Sequence, residues 1–357
     1  MNRLYILYLF TLAVAAKAQY LPNGNFEAWK NENGMGSTYQ SSGGSMGGGN
    51  KALGLRKRPG SEPVSWNGSS VNQKVVMQKK NILISRSKGF GSASAVKLEN
   101  DFVGVFGIGS NAPSFINLGT PWIYAIGDVD ACDGGVYGGV GFSHRPDAIT
   151  GIFKRSGGTG ENAHIIAYIW NGTFKSSIKS SSANNIKDDV ERAVLGMTGN
   201  VVQKGTLIAS CDFKFSNTTN GGWQRITVPL NYVPGTDNVV PEKMNVIISS
   251  ADYWNRDNIQ EGSVLEVDNL QFVYYSEIAS LVYDGVNLFS PGKVEYTVNG
   301  VYDPKKLVVT SNGKGAKIEK VFDKQSGLLT ITIKGGDFAS NNVNRHIYKV
   351  FFTSKKR

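Results

Sequence analysis

Four aromatic residues stand among turn-forming neighbours, where core packing is least expected: Trp66 in PVSWNGSS, Trp122 in GTPWIY, and the pair Tyr253 and Trp254 in ADYWNRDN. Flat rings supply large apolar area at low entropic cost. A sugar offers C–H faces ringed by hydroxyls, so a ring flanked by amides and charges is the chemistry of carbohydrate contact. Trp254 has the fullest polar company, with Asp252, Asn255, Arg256 and Asp257 beside it, and Arg256 joins the candidate contact set. Trp29, Trp170 and Trp223 lie on or at the ends of strand-like runs and are expected in the core.

Patterns that would carry a reaction are absent. His144, His164 and His346 fall in no HExxH or HxxxH spacing, and neither a GxSxG elbow nor a Walker loop occurs. The glycine groupings GVFGIGS and GGVYGGVG do not follow a strand-to-helix order, which argues against a dinucleotide site. Glycoside hydrolysis needs two carboxylates held about 5 to 10 Å apart, and no local signature selects a pair among 28 acids. A hydrolase with an unrecognised pair therefore stays as an alternative. Asp128, Asp130 and Asp133 are spaced D-x-D-x-x-D-G, which misses the EF-hand pattern and reads as a polar turn. Cys132 and Cys211 have neither CxxC spacing nor a nearby histidine, and whether they pair is open.

Arg3, the apolar run Leu4 to Ala16 and the small-x-small triplet Ala16-Lys17-Ala18 predict a removable signal peptide over residues 1–18. Export to the periplasm or cell surface follows, and no later segment reaches the roughly 20 apolar residues of a transmembrane helix. Loss of Arg3 and Lys17 would lower the formal charge from +10 to +8. A basic surface raises nucleic acid, anionic membrane and acidic polysaccharide as partners. Export argues against nucleic acid, and Lys and Arg residues scattered rather than stacked along one amphipathic helix argue against a membrane surface, leaving a glycan, with an acidic one favoured slightly over a neutral one. The tight basic groups are Arg56-Lys57-Arg58, read as a solvated loop, and the tail Lys355-Lys356-Arg357.

The elements that would position these residues are strands. In GSVLEVDNLQFVYY the apolar residues fall mainly at every second position after Leu265, the period of a one-sided sheet. Similar short runs recur from Val71–Met77 through Ala163–Ile169, Thr206–Phe215 and Met244–Ser250, separated by Gly, Asn, Ser and Pro. This spacing predicts an all-β, jelly-roll or galactose-binding-like sandwich over 19–276. Gly34–Asn50 is expected to be a loop, and Asn185–Leu195 is the best helix candidate. After Ser276 the alternation restarts in six runs with turn signals at Asn299-Gly300, Asn312-Gly313 and Ser326-Gly327, which predicts a small immunoglobulin-like sandwich over 277–357.

The order of GFSHRPDAITGIFKR (141–155), WQRITVPLNYVP (223–234), NVIISSAD (245–252) and GSVLEVDNLQFVYY (262–275) resembles the "putative carbohydrate metabolism domain" of exported Bacteroidetes proteins. The resemblance implies polysaccharide handling and brings no catalytic residue. It places Arg145 in a family-like motif, as an ion-pair brace or a contact to sugar or uronate. LPNGNFEAW also resembles the NGxFE-x-W opening of jelly-roll carbohydrate-binding modules, in which an acid near the first strand and an Asp on the last share a structural calcium. That resemblance implies Asn25, Glu27 and Asp268 as ligands, with turn amides and carbonyls completing six to eight oxygens. The competing reading is a secreted adhesion or surface-assembly subunit that offers sheet edges to partner proteins.

Overall fold

The computed structural model describes residues 21–42, 51–74, 78–105, 107–125, 133–178, 186–197, 202–216, 221–255, 257–336 and 345–353. The expected signal segment, the basic tail, Asp128, Asp130, Cys132 and Arg256 lie outside the described residues. The chain is all-β and divides into two compact units. One holds Tyr20–Ser143 and Ile149–Gln271, the other His144–Ala148 and Phe272–Arg357.

In the larger unit the central sheet runs Asn231–Tyr232, Val202–Phe215, Ala163–Ser177, Lys243–Ser249, Phe115–Asn117, Asn67–Gly68. Ala163–Ser177 pairs antiparallel with Val202–Phe215 on one side and Lys243–Ser249 on the other. Its first eight residues, AHIIAYIW, are buried without alternation, because this strand is covered on both faces. A five-stranded sheet, Gln224–Pro229, Ala148–Ser156, Val264–Val273, Ala95–Glu99, Ile84–Ser87, covers one face. Phe153 of that sheet packs edge-on against Phe215 of the central one, their ring centroids 5.7 Å apart. On the other face lies a cluster in which Tyr168, Trp170 and Ile247 meet Tyr39, Trp122, Val136 and Val194. Tyr39, Trp122 and Val136 belong to a four-stranded sheet of Asp133–Tyr137, Thr120–Ala125, Ser37–Ser42 and Lys51–Lys57.

Three local expectations are corrected here. The glycine-rich stretch expected as loop contains the strand Ser37–Ser42, which pairs parallel to Thr120–Ala125; tertiary pairing overrides weak local propensity. The expected helix over 185–195 shrinks to Glu191–Val194, preceded by the short strand Ile186–Asp188, because Asp189 sits at φ 58° and breaks the helical path. The basic triplet is also not a solvated loop: Arg58 is buried and donates to Glu62 at 2.6 and 3.1 Å. An unpaired guanidinium at that depth would be far costlier than the pair.

The smaller unit is an immunoglobulin-like sandwich of two sheets. One orders Val286–Asn287, Ile278–Tyr283, Leu307–Ser311, and the other Glu295–Asn299, Arg345–Thr353, Leu328–Lys334, Lys317–Asp323. Leu281, Leu329, Ile331, Ile333 and Val350 form its core. Of the three expected turn signals, Ser326-Gly327 joins two directly paired strands as a hairpin, with Gly327 at φ +68°. Asn299-Gly300 ends a strand that pairs parallel to Arg345–Thr353, so that signal marks a change of sheet.

Candidate functional site

A cleft of about 340 Å³ opens within the larger unit and brings Trp122, Tyr253 and Trp254 together. Its apolar wall includes Val71, Phe115, Pro121 and Ile259, and its polar lining includes Thr38, Asn111, Asp133, Arg192 and Asp252. The elements place these residues for identifiable reasons. Trp122 lies on Thr120–Ala125, with Tyr39 and Gly135 as its neighbours in register on either side. Tyr253 and Trp254 follow the end of Lys243–Ser249, whose Ser249 pairs with Phe115, and the Tyr253 ring stands edge-on to Phe115 with centroids 5.4 Å apart.

Trp254 is held by its surroundings. Its indole Nε1 donates to Asp212 Oδ2 at 2.6 Å, and its backbone N–H donates to Asp252 Oδ1 at 3.0 Å. Tyr253 N–H donates to His164 Nδ1 at 3.2 Å. That places the ring proton of His164 on Nε2, which donates to Asp212 Oδ1 at 2.6 Å. The His164 and Tyr253 rings both meet Trp254 edge-on, with centroids 6.2 and 4.8 Å away. Burial pushes the Asp212 carboxyl up, but the hydrogen bonds from His164 and Trp254 outweigh it and hold it below its ordinary value. Lys214 closes the network on Asp252 at 2.7 Å. A ring fixed this way loses little further freedom when a ligand stacks on it.

The opposite wall is organised by charge. Arg192 grips Asp133 with both terminal nitrogens, each at 3.0 Å, and also donates to Gly134 O. Its guanidinium lies 5.8 Å from the centre of the Trp122 ring, a cation–π contact. Behind this wall Glu191 is fully buried. It accepts from Val136 N–H at 3.2 Å and from Tyr253 OH at 3.4 Å. Burial pushes its carboxyl up to about 7, against the opposing pull of Arg192 and the Val136 amide. Gly135 makes this geometry possible: a Cβ there would sit 2.1 Å from Glu191 Oε1 and 2.9 Å from Trp122 Nε1.

The remaining sequence candidates fall elsewhere. Trp66 is not a surface platform but a core residue, with no exposed area; its Nε1 donates to Pro22 O at 2.8 Å and its ring packs on Phe26. Trp122 is in a strand rather than a turn and is 3% exposed, so it reaches the cleft only by an edge. Arg145 belongs to the segment His144–Ala148 of the smaller unit and is not among the cleft-lining residues. Cys211 carries a free, buried thiol that burial pushes up to about 12. Residues that sequence reasoning missed are Thr38, Asn111, Asp133 as a site residue, Arg192 and Glu191. None sits in a motif, and only the convergence of distant strands assembles them.

Glu27 and Asp268 converge on one loop, residues 88–94. Glu27 accepts from Ala93 N–H, Ser94 N–H and Ser94 Oγ at 3.0, 3.1 and 3.3 Å. Asp268 accepts from Phe90 N–H, Ser92 Oγ and Asn269 N–H at 2.8, 2.6 and 2.7 Å. Leu270 N–H donates to Gly24 O at 2.8 Å, tying the first described segment to the last strand of the unit. The two carboxylates, with nearby carbonyls of Phe26 and Ser94, fit a hard cation in kind. Each carboxylate oxygen nevertheless already accepts a hydrogen bond, and Asn25 is exposed. Among the described residues no group of three or more His, Cys, Asp and Glu side chains could hold a metal ion.

No protein-family profile and no curated protein matches the chain. Similar solved structures include two Bacteroides proteins described as a "putative glycoside hydrolase". The one from Bacteroides thetaiotaomicron has a TM-score of 0.36 at 14% identity, over 55% of this chain and 58% of its own. The one from Bacteroides vulgatus has 0.38 at 13%, over 69% and 97%. The family 11 carbohydrate-binding module of Clostridium thermocellum has 0.25 at 12%, over 59% and 90%. The chain thus spans little more than half of the first of these, and at such scores the site is read from its own geometry.

Proposed function

We propose that the larger unit is a non-catalytic carbohydrate-binding module of an exported protein, and that the cleft between Trp122, Tyr253 and Trp254 holds a glycan chain. The observation that carries the reading is the Trp254 ring, fixed at the cleft by Asp212, His164 and Tyr253. An immobilised ring beside hydrogen-bonding side chains suits a sugar's alternation of C–H face and hydroxyl edge. The apolar and polar lining together match what pockets for small saccharide units require. Among the described residues no helix is long and apolar enough to cross a membrane. Export rests on the N-terminal signal pattern, and polysaccharide use at the cell surface or in the periplasm is the setting that suits it.

Retention of the chain on immobilised polysaccharides tests the proposal. Trp254→Ala is expected to cost about 2 kcal/mol, roughly a thirtyfold weaker dissociation constant, while Trp254→Phe, which keeps a ring but loses the Nε1 bond to Asp212, should fall between wild type and Trp254→Ala. Wild-type chain that is retained on no plant, host or microbial glycan would instead favour the adhesion or assembly reading.

Glu191 is the feature that would suit hydrolysis, since its raised carboxyl resembles a general acid. It is sealed beneath Tyr253 and the Gly135 backbone, however, and Asp133 is committed to Arg192. We therefore assign Glu191 to positioning the wall. Release of reducing ends from a retained polysaccharide, abolished in Glu191→Gln, would reverse that assignment. Structural calcium between Glu27 and Asp268 belongs to the same proposal as a staple for the 88–94 loop. Calorimetric melting with Ca²⁺ and with chelator tests it, and a melting temperature indifferent to both removes it.

A further inference from the structure

We infer that the cleft selects an uncharged glycan and rejects polyuronates, although the chain as a whole is basic. The inference rests on the carbohydrate reading of the cleft and deepens it.

The chain's formal charge of +10 would by itself favour acidic polymers. The cleft does not share that excess. Among the described residues its charged lining is Asp133, Asp252 and Arg192, two carboxylates against one guanidinium. Lys214, pairing Asp252 at 2.7 Å from outside the lining, brings the balance of these described groups to zero. Among the described residues, the one lining cation is spent. Both terminal nitrogens of Arg192 are engaged by Asp133 at 3.0 Å in the fork geometry that satisfies a guanidinium best. Its Nε lies 3.8 Å from Glu191. An incoming uronate would have to displace Asp133 to reach Arg192, and would meet Asp252 at the Trp254 side of the cleft.

What the cleft offers instead is neutral. Among the described residues, Trp122 Nε1 and Thr38 Oγ1 are buried polar atoms without a hydrogen-bond partner, and both residues line the cleft. Thr38 is 2% exposed and Trp122 3%. Unpartnered buried polar atoms are uncommon and costly. One is a donor and the other both donates and accepts, the complement of sugar hydroxyls, which do both.

The test is affinity electrophoresis of the full chain against neutral polymers (soluble glucan, xylan, mannan) and against polygalacturonate and alginate, at 50 and 500 mM salt. The expected result is retention on a neutral polymer that changes less than about twofold between the two salts, because no ion pair is screened. Polyuronate binding should be at least tenfold weaker. Asp133→Asn releases the Arg192 fork and should raise polygalacturonate binding about fivefold or more at 50 mM salt, a gain that 500 mM salt removes. Preferential, salt-sensitive retention of a polyuronate by the wild type overturns the inference while leaving the carbohydrate reading intact. If Arg256→Gln abolishes that retention, the responsible cation is Arg256. Retention of neither class overturns the carbohydrate reading and this inference with it.

Discussion

Replacing Glu191 with Gln should change the pH dependence of stability more than stability itself. With an ordinary value of 4.5 and a folded value of about 7, Glu191 keeps its proton in the native state over a range where the unfolded chain has lost it. Its contribution is therefore most favourable below 4.5, declines as pH rises through the window from 4.5 to about 7, and is gone above it. At roughly 1.4 kcal/mol per tenfold in proton affinity, the wild type should lose about 2 to 3 kcal/mol from this group between pH 5 and pH 8. Gln cannot ionise, so the variant escapes that loss. It keeps one carbonyl oxygen for Val136 N–H or Tyr253 OH, and surrendering the other bond costs about 1 kcal/mol at any pH. The variant should thus be slightly less stable than wild type at pH 5 and about 1 to 2 kcal/mol more stable at pH 8. All six tryptophans lie within residues 29–254, inside the larger unit, so urea melts followed by tryptophan fluorescence report on that unit alone. Wild-type and variant stabilities that run parallel from pH 5 to pH 8 would refute the assignment of a raised, buried carboxyl to Glu191.

Asp268→Ala removes three acceptor contacts from a fully buried carboxylate and should destabilise the larger unit by about 3 to 5 kcal/mol in the same urea melts. Gly135→Ala places a methyl group against Glu191 and Trp122; glycan retention should fall by tenfold or more while the smaller unit's far-UV signal survives. Because hydrogen bonds hold Asp212 below its ordinary value, its support for the Trp254 platform is present at neutral pH and fades as pH falls through the carboxylate range; glycan retention should weaken on acidification, and less so in Asp212→Asn. In a Cys132→Ser background, the Cys211 thiol, pushed up to about 12 and buried, should ignore thiol reagents at pH 8 until denaturant is added.

Strand content was written locally. The alternation after Leu265 and the last five of the six runs after Ser276 appear as strands within one or two residues of their expected ends, because side-chain period and burial are properties of short windows; the run expected over Ala163–Ile169 instead continues to Ser177, and the first run after Ser276 ends at Tyr283 before a separate short strand. The prominence of Tyr253 and Trp254 was also local, since turn-forming neighbours keep a ring near the surface. What no window contains is partnership. Trp66 and Trp122 carry the same turn-like neighbours as Trp254, yet one fills the core and the other edges the cleft, because their fates depend on what Phe26, Arg192 and Tyr39 do across the sheets. Ser37–Ser42 becomes a strand only because Thr120–Ala125 supplies its hydrogen bonds. Arg192 loses its free charge only because Asp133, 59 positions earlier, folds back onto it. The sequence alone determined the kind of fold and one aromatic pair worth watching. The tertiary structure decided which charges are cancelled and which rings are reachable, since both are set by distances between residues far apart in the chain.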